Sequence, residues 1–546
     1  MQGLDLCSGN ERSPLEDGWR MKWLDVVRLA VLASVLSPAP MVLAQAKVNS
    51  PISDERVQEA IRKLAELAES TRQSMRIPGL AIVVVHGDKT LLLKGFGTRV
   101  AGQAEPIDGD TVFQLASVSK PLTATILARL VGQGRLKWDD RVIDHDPAFQ
   151  LSDPWMTRDL RLNDLLSHRS GLPDHAGDQL EDLGYPREEI VRRLRYLPSR
   201  EGFRTHYAYT NFGYSQAAYA VAKRLKTTWE DLAEKEFFKP LGMTSTSYRH
   251  ADFVRHDNRA KLHVKVDGEW QPKFERQPDA QSPAGGASSN LNDLAIWLRL
   301  LLENGQSKGE TFIDATALAE TQQPHSALHL DAATGRFGSY GMGWNIGIEH
   351  GQRVSWKHSG AFDLGVRTQV ALIPSEQLAI AVLVNSGPHG VPEGLTESFL
   401  DWVFEGELQR DWVALANLKF EEMVQETHSQ VGDFSKPVEP RVPPAALSNY
   451  VGDYDQDFFG PVSVISKQGQ LALLLGPQKT PFLLQHWNRD WFVYQPSGES
   501  SPGPSGVQFV MDQNGRAVRL RLENLRYPEL GPEFGEFLRR EAGKAE

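Results

Sequence analysis

Residues 54–76, DERVQEAIRKLAELAESTRQSMR, place apolar residues at helical spacing and predict an amphipathic helix. Two apolar runs follow in GLAIVVVHGDKTLLLKGFG, bent around His86-Gly87-Asp88, which predicts a β-hairpin. From 116 to 300 the pattern is mostly helical, with loops. Strand-like runs return late, at 339–348, 366–375 and 378–386, and a further helix is expected at 407–430. A sheet built from an early hairpin and late strands, with helices inserted between, is an α+β arrangement closed on itself.

The segment SKPVEPRVPPAA, 435–446, is a proline-rich linker and the clearest boundary in the chain. Beyond it come short strands with turns at Gln468-Gly469 and Asn514-Gly515, which predict a small antiparallel β-domain over 447–546. Linker and change of pattern together lead us to expect that this β-domain folds separately from residues 47–434.

Chain length changes this picture little, since 546 residues suit two or three domains. The 59 basic and 70 acidic residues give a net charge of −11, scattered rather than clustered, which argues against nucleic acid or an anionic membrane as partner. A single cysteine, Cys7, rules out an internal disulfide and a cysteine-ligated zinc site. From Met21 a basic start, an apolar run Leu29–Leu36 and Ala44-Gln45-Ala46 read as a secretory signal. Residues 1–46 are therefore expected to be an extension and signal peptide, the mature chain starting near Lys47 in the periplasm or outside the cell. An uncleaved anchor is the one membrane attachment the pattern allows.

Candidate chemistry begins in LASVSKPLTATILARLV, 115–131, an apolar helical run with Pro121 in a suitable first turn. Ser117 and Lys120, three apart, share a face there. An ammonium among apolar neighbours loses solvation and its pKa falls, so a free amine beside a hydroxyl becomes reachable near neutral pH. Ser-x-x-Lys occurs once in the chain. Tyr209 and Asn211, two apart, can face the same way from a loop and offer a proton relay and an amide. His358-Ser359-Gly360 offers an imidazole and a hydroxyl for an anionic substrate end, with a glycine that permits close approach.

Other hydrolase patterns are missing: the sequence has neither Gly-x-Ser-x-Gly nor His-Glu-x-x-His. His325 and His329 lack an evident carboxylate partner and read as surface residues rather than metal ligands. Asp174 and His175 read as loop residues rather than members of a triad. No metal and no cofactor is implied.

The order Ser-x-x-Lys, Tyr-x-Asn, His-Ser-Gly resembles the class C β-lactamase and serine DD-peptidase family, with its esterase and D-aminopeptidase members. LLSHRSGLPDH, KPLGMTSTSY, PAGGASSNLNDLAIWL and YGMGW are similar to segments of that family as well, and the resemblance spans roughly 54–400. It implies an antiparallel sheet flanked by helices with a helical subdomain; residues 447–546 are similar to barrel or lipocalin-like tails of some members. It also implies Ser117 as acylated nucleophile, Lys120 as its base, Tyr209 in proton transfer and Asn211, His358, Ser359 and Gly360 in substrate binding. Backbone N–H groups of Ser117 and Ala361 would form the oxyanion hole. Histidine at 358, where efficient β-lactamases of the family usually carry lysine, points towards DD-carboxypeptidases and D-aminopeptidases, with small amides, esters or short peptides as substrates. A penicillin-recognising sensor that acylates without turnover is the non-enzymatic alternative; the oligomeric state is left open.

Overall fold

A computed structural model describes residues 52–541 apart from 200–201, 332–335, 430–431, 435, 437, 500, 502 and 532. Cys7 and the signal-like segment 21–46 lie outside the described residues.

Helix α1 (Asp54–Ser74) begins as its sequence directs. Ser53 caps it by accepting from the Arg56 N–H, and Val57, Ile61, Leu64 and Ala68 fall on its buried side. The expected hairpin follows as β1 (Gly79–His86) and β2 (Lys89–Gly97). Six later strands complete the sheet: β3 (Ser326–Asp331), β4 (Arg336–Tyr340), β5 (Asn345–Glu349), β6 (Arg353–Phe362), β7 (Val366–Ile373) and β8 (Leu378–Val384). Their order is β2-β1-β8-β7-β6-β5-β4-β3, with antiparallel pairing throughout. Every residue of β1 is buried because both faces are covered. Leu80, Ile82 and Val84 pack with α1 and with the helix Val391–Phe404, while Ala81, Val83 and Val85 join the helical side.

Three details differ from the sequence pattern. The run 339–348 is the end of one strand and the start of the next, broken by Gly341–Trp344, where Gly343 takes a φ of 84°. His358-Ser359-Gly360, a tripeptide that by itself would suit a turn, lies inside strand β6. His325 is also not a surface residue: its side chain is 10% exposed and Nε2 donates to the Glu320 carbonyl.

The C-terminal region forms a nine-stranded antiparallel sheet over residues 452–539. Its two outermost strands, Thr480–Leu483 and Gln485–Asn488, are consecutive in sequence, so the sheet wraps nearly into a barrel. Gln468 and Gly469 both take positive φ at the tight hairpin between Val462–Lys467 and Gln470–Leu475, as their sequence predicts.

This sheet packs closely against the rest of the chain. Residues 49–546 form one compact unit, and the apolar core holding Leu122 and Tyr214 runs on into Tyr450, Phe459 and Phe537. The Tyr185 hydroxyl donates to the Phe459 carbonyl, Arg193 to the carbonyls of Asp457 and Phe458, and the Glu499 N–H to Asp182. The linker reads as a boundary because its prolines disfavour regular structure, but side chains far from it join the C-terminal region to the helical segment around residues 182–193.

Candidate active site

Ser117 sits in a 3₁₀ turn, Ala116–Val118, immediately before helix α2 (Ser119–Gly132). Ala116 takes a φ of 47°, a left-handed conformation that turns the next residue sharply out of the chain's path. Pro121 is in the first turn of α2, as the sequence suggests. The helix is apolar on nearly every side, which buries it at the centre of the molecule and Lys120 with it.

Lys120 Nζ lies 3.1 Å from Ser117 Oγ, 2.7 Å from Asn211 Oδ1 and 3.0 Å from the Ala284 carbonyl. Burial pushes its pKa down to about 7, against the opposing pull of the Asp178 charge. Since Asn211 Oδ1 and the Ala284 carbonyl only accept, they occupy both N–H groups of a neutral amine. Its lone pair is then left to the Ser117 hydroxyl. From the other side the Tyr209 hydroxyl donates to Ser117 Oγ at 2.8 Å, and burial keeps that phenol neutral well beyond its ordinary range. Ser119, the other nearby serine, is fully buried; its hydroxyl donates to the Ala116 carbonyl and accepts from the Ala287 N–H, so it serves the turn.

Tyr209 ends a loop pinned on both flanks. The Thr210 N–H donates to His168 Nδ1, and the His175 N–H donates to the Tyr209 carbonyl. Asn211 is the first residue of the helix Asn211–Arg224, so its side chain projects from a rigid element.

Strand β6 brings the third motif to the same place. A Cβ on Gly360 would stand 2.3 Å from both the Leu115 carbonyl and Thr368 Oγ1, and 3.0 Å from the Ser117 nitrogen, so only glycine lets the strand lie against the backbone of Ser117. Ser359 and Ala361 alternate with it and are half-buried.

His358 departs from expectation. Its Nδ1–H donates to the Ser359 carbonyl, which leaves Nε2 to accept from the Tyr340 hydroxyl. Burial, with the Lys120 charge nearby, pushes the imidazole down to about 3. Burial thus favours the neutral ring at working pH, which offers a substrate a hydrogen-bonding dipole rather than a charge. The motif alone could not show this, because the cause is depth in the fold.

Four groups at the site were not singled out for chemistry in the sequence. The Ala284 carbonyl comes from the PAGG segment, Tyr340 from the YGMGW segment at the end of β4, His175 from a segment read as an ordinary loop, and Asp178 from the start of the next short helix. Among the described residues, no group of three or more His, Cys, Asp or Glu side chains could hold a metal ion.

A family model described as Beta-lactamase matches residues 62–397. The chain belongs to this family. A second model, a domain of unknown function (DUF3471), matches residues 436–540. Among curated relatives, an unguisins hydrolase of Aspergillus campestris is 29% identical over 59% of this chain and 61% of its own length. Against the two unguisins hydrolases it matches, the chain spans about three-fifths of their length. Penicillin-binding protein 4 of Amycolatopsis lactamdurans is 27% identical over 72% of this chain and 97% of its own. In fold, the chain is similar to an octameric penicillin-binding protein homologue from Pyrococcus abyssi, with a TM-score of 0.56 at 18% identity, covering 85% of this chain and 98% of that one. It is also similar to a class C β-lactamase from Rhodobacter sphaeroides, with a TM-score of 0.50 at 22% identity, covering 63% and 98%.

Proposed function

We propose that Ser117 attacks a substrate carbonyl and forms an acyl-enzyme, with Lys120 as base and Tyr209 as acid. The observation that carries this reading is the amine of Lys120 and the phenol of Tyr209 converging on one hydroxyl, 3.1 and 2.8 Å away. The Ser117 proton passes to the lone pair of Lys120 as Oγ bonds to the carbonyl carbon. The developing oxyanion takes hydrogen bonds from the backbone N–H groups of Ser117 and Ala361. Tyr209 gives its proton to the departing nitrogen or oxygen and regains one from Lys120, so the acyl-enzyme forms with both groups reset. Water repeats the sequence in reverse and frees Ser117.

Substrates are small amides, esters or short peptides. The neutral His358 favours those without a carboxylate next to it, because imidazole at that depth offers dipoles rather than charge. β-Lactam hydrolysis and D-amino-acid carboxypeptidase activity are accordingly secondary to amide or ester cleavage. No cofactor takes part. The signal-like pattern in residues 21–46 supports a periplasmic or secreted setting.

The test is a screen of the purified chain against D-amino-acid amides, D-Ala-D-Ala peptides, nitrocefin and nitrophenyl esters. Steady turnover after a burst, abolished in Ser117→Ala, is expected. A stoichiometric burst with no turnover on any of them would mean a sensor instead.

A further inference from the structure

Asn211 makes two hydrogen bonds that fix which way its amide faces. Oδ1 accepts from Lys120, and Nδ2 donates to Asp178 Oδ2 at 2.9 Å. The same Asp178 oxygen lies 2.8 Å from His175 Nδ1, and Asp178 Oδ1 is buried with no hydrogen-bond partner. A rotated amide would aim its NH₂ at the Lys120 amine and its oxygen at the carboxylate, losing both bonds. Asp178, only 14% exposed, thus decides the orientation of Asn211 from behind.

His175 is built to hold that carboxylate. It takes a φ of 53°, a conformation that L residues adopt at a cost. Its N–H donates to the Tyr209 carbonyl, and its own carbonyl accepts from the Tyr527 hydroxyl, which comes from a loop of the C-terminal region. Packing works against charge on the ring, yet the Asp178 hydrogen bond and charge, with help from Asp174, raise it to about 9. The ring stays 58% exposed, so it is within reach of solvent protons.

We propose that Asp178, backed by His175, is a positioning residue that orients the Asn211 amide and so aims the Lys120 lone pair at Ser117. This rests on the acyl-enzyme reading above. The remaining ionisable neighbours of Lys120 are Tyr209, Tyr214, His168 and His358. Burial keeps all of these uncharged, raising the phenols and lowering the imidazoles. Asp178 and His175 are therefore the charges that Lys120 feels, with Asp174 3.7 Å from His175 Nε2. They act with opposite sign.

The test is the rate of Ser117 labelling by a fluorophosphonate probe, followed from pH 5 to 9 in the full chain. Asp178→Asn removes a negative charge and loosens Asn211, so its plateau rate should fall about tenfold. Its midpoint should also move down, by less than loss of the carboxylate alone would give, because His175 gives up its own charge once Asp178 is gone. His175→Asn keeps a residue that tolerates positive φ but removes a positive charge, and its midpoint should move up. A purely structural role would not shift midpoints in opposite directions. Thermal unfolding identifies folded variants; if Asp178→Asn does not fold, the upward shift in His175→Asn decides by itself. Unchanged midpoints, or midpoints that move the same way, overturn the proposal while leaving the acyl-enzyme reading intact. Adducts that mass spectrometry places on another serine of the wild type overturn both.

Discussion

Lys120 holds its amine 3.1 Å from the Ser117 hydroxyl oxygen while burial brings the pKa of that amine down to about 7. Acylation needs the free base, so kcat/KM should rise as pH passes upward through about 7 and then level. Lys120→Arg carries a charge at every working pH and should not rescue the activity lost in Lys120→Met, on the order of a thousandfold or more. A flat profile from pH 5 to 9 would remove Lys120 from the role of base.

The same group makes stability depend on pH. Lys120 titrates at about 7 in the folded chain and near its ordinary 10.5 when unfolded. Between these values the unfolded chain binds the extra proton, so stability rises with pH across that window. Lys120→Met has no charge to bury. Its stability advantage over the wild type should be full below pH 7 and shrink towards pH 10.5, as read from urea midpoints. An advantage that grows with pH would contradict the buried, neutral amine.

His358 should stay neutral throughout the working range, because its pKa lies near 3. Substrates with and without a carboxylate should then share one pH dependence between 5 and 9. Histidine NMR should show no titration of that ring over the same span. A fall in affinity with rising pH confined to carboxylate substrates would restore the imidazolium anchor.

Gly360 leaves no room for a side chain between β6 and the backbone of residues 115–117. Gly360→Ala should therefore push the strand away from Ser117 and lower the acylation rate by about a hundredfold or more. The bulk of the fold should survive, since β6 remains paired with β5 and β7. Full acylation in the alanine variant would show that the strand does not need that closeness.

Tyr527 lies in the loop between the last two strands of the C-terminal sheet, is buried, and accepts from the Gly177 N–H while donating to the His175 carbonyl. Tyr527→Phe leaves that buried N–H without a partner, at a cost of about 1–3 kcal/mol. Ser117 labelling should slow as the 174–178 turn relaxes. An unchanged rate together with unchanged stability would reduce the C-terminal sheet to an appendage.

The pairs Ser117–Lys120 and Tyr209–Asn211 were legible because helix spacing and short loops fix which neighbours can meet within a few residues, while the resemblance to a known family joined the two pairs. The hairpin at 79–97 and helix α1 were legible for the same reason, since their periodicity is a local property. Strand β6 hid behind a turn-like His-Ser-Gly, because the pairing that makes it a strand comes from β5 and β7 on either side.

What the sequence by itself determined was the set of reacting groups and their order along the chain. Only the tertiary structure decided their protonation: Lys120 near 7, His358 near 3 and His175 near 9 follow from burial and from charges brought together across the fold. It also decided that Asp178 stands behind Asn211, 33 residues away in sequence, and that Tyr527 reaches His175 across 352. The physical reason is range. Backbone propensity and side-chain spacing act over a few residues, whereas desolvation and Coulomb forces depend on distance in space, which exists only once the chain has folded.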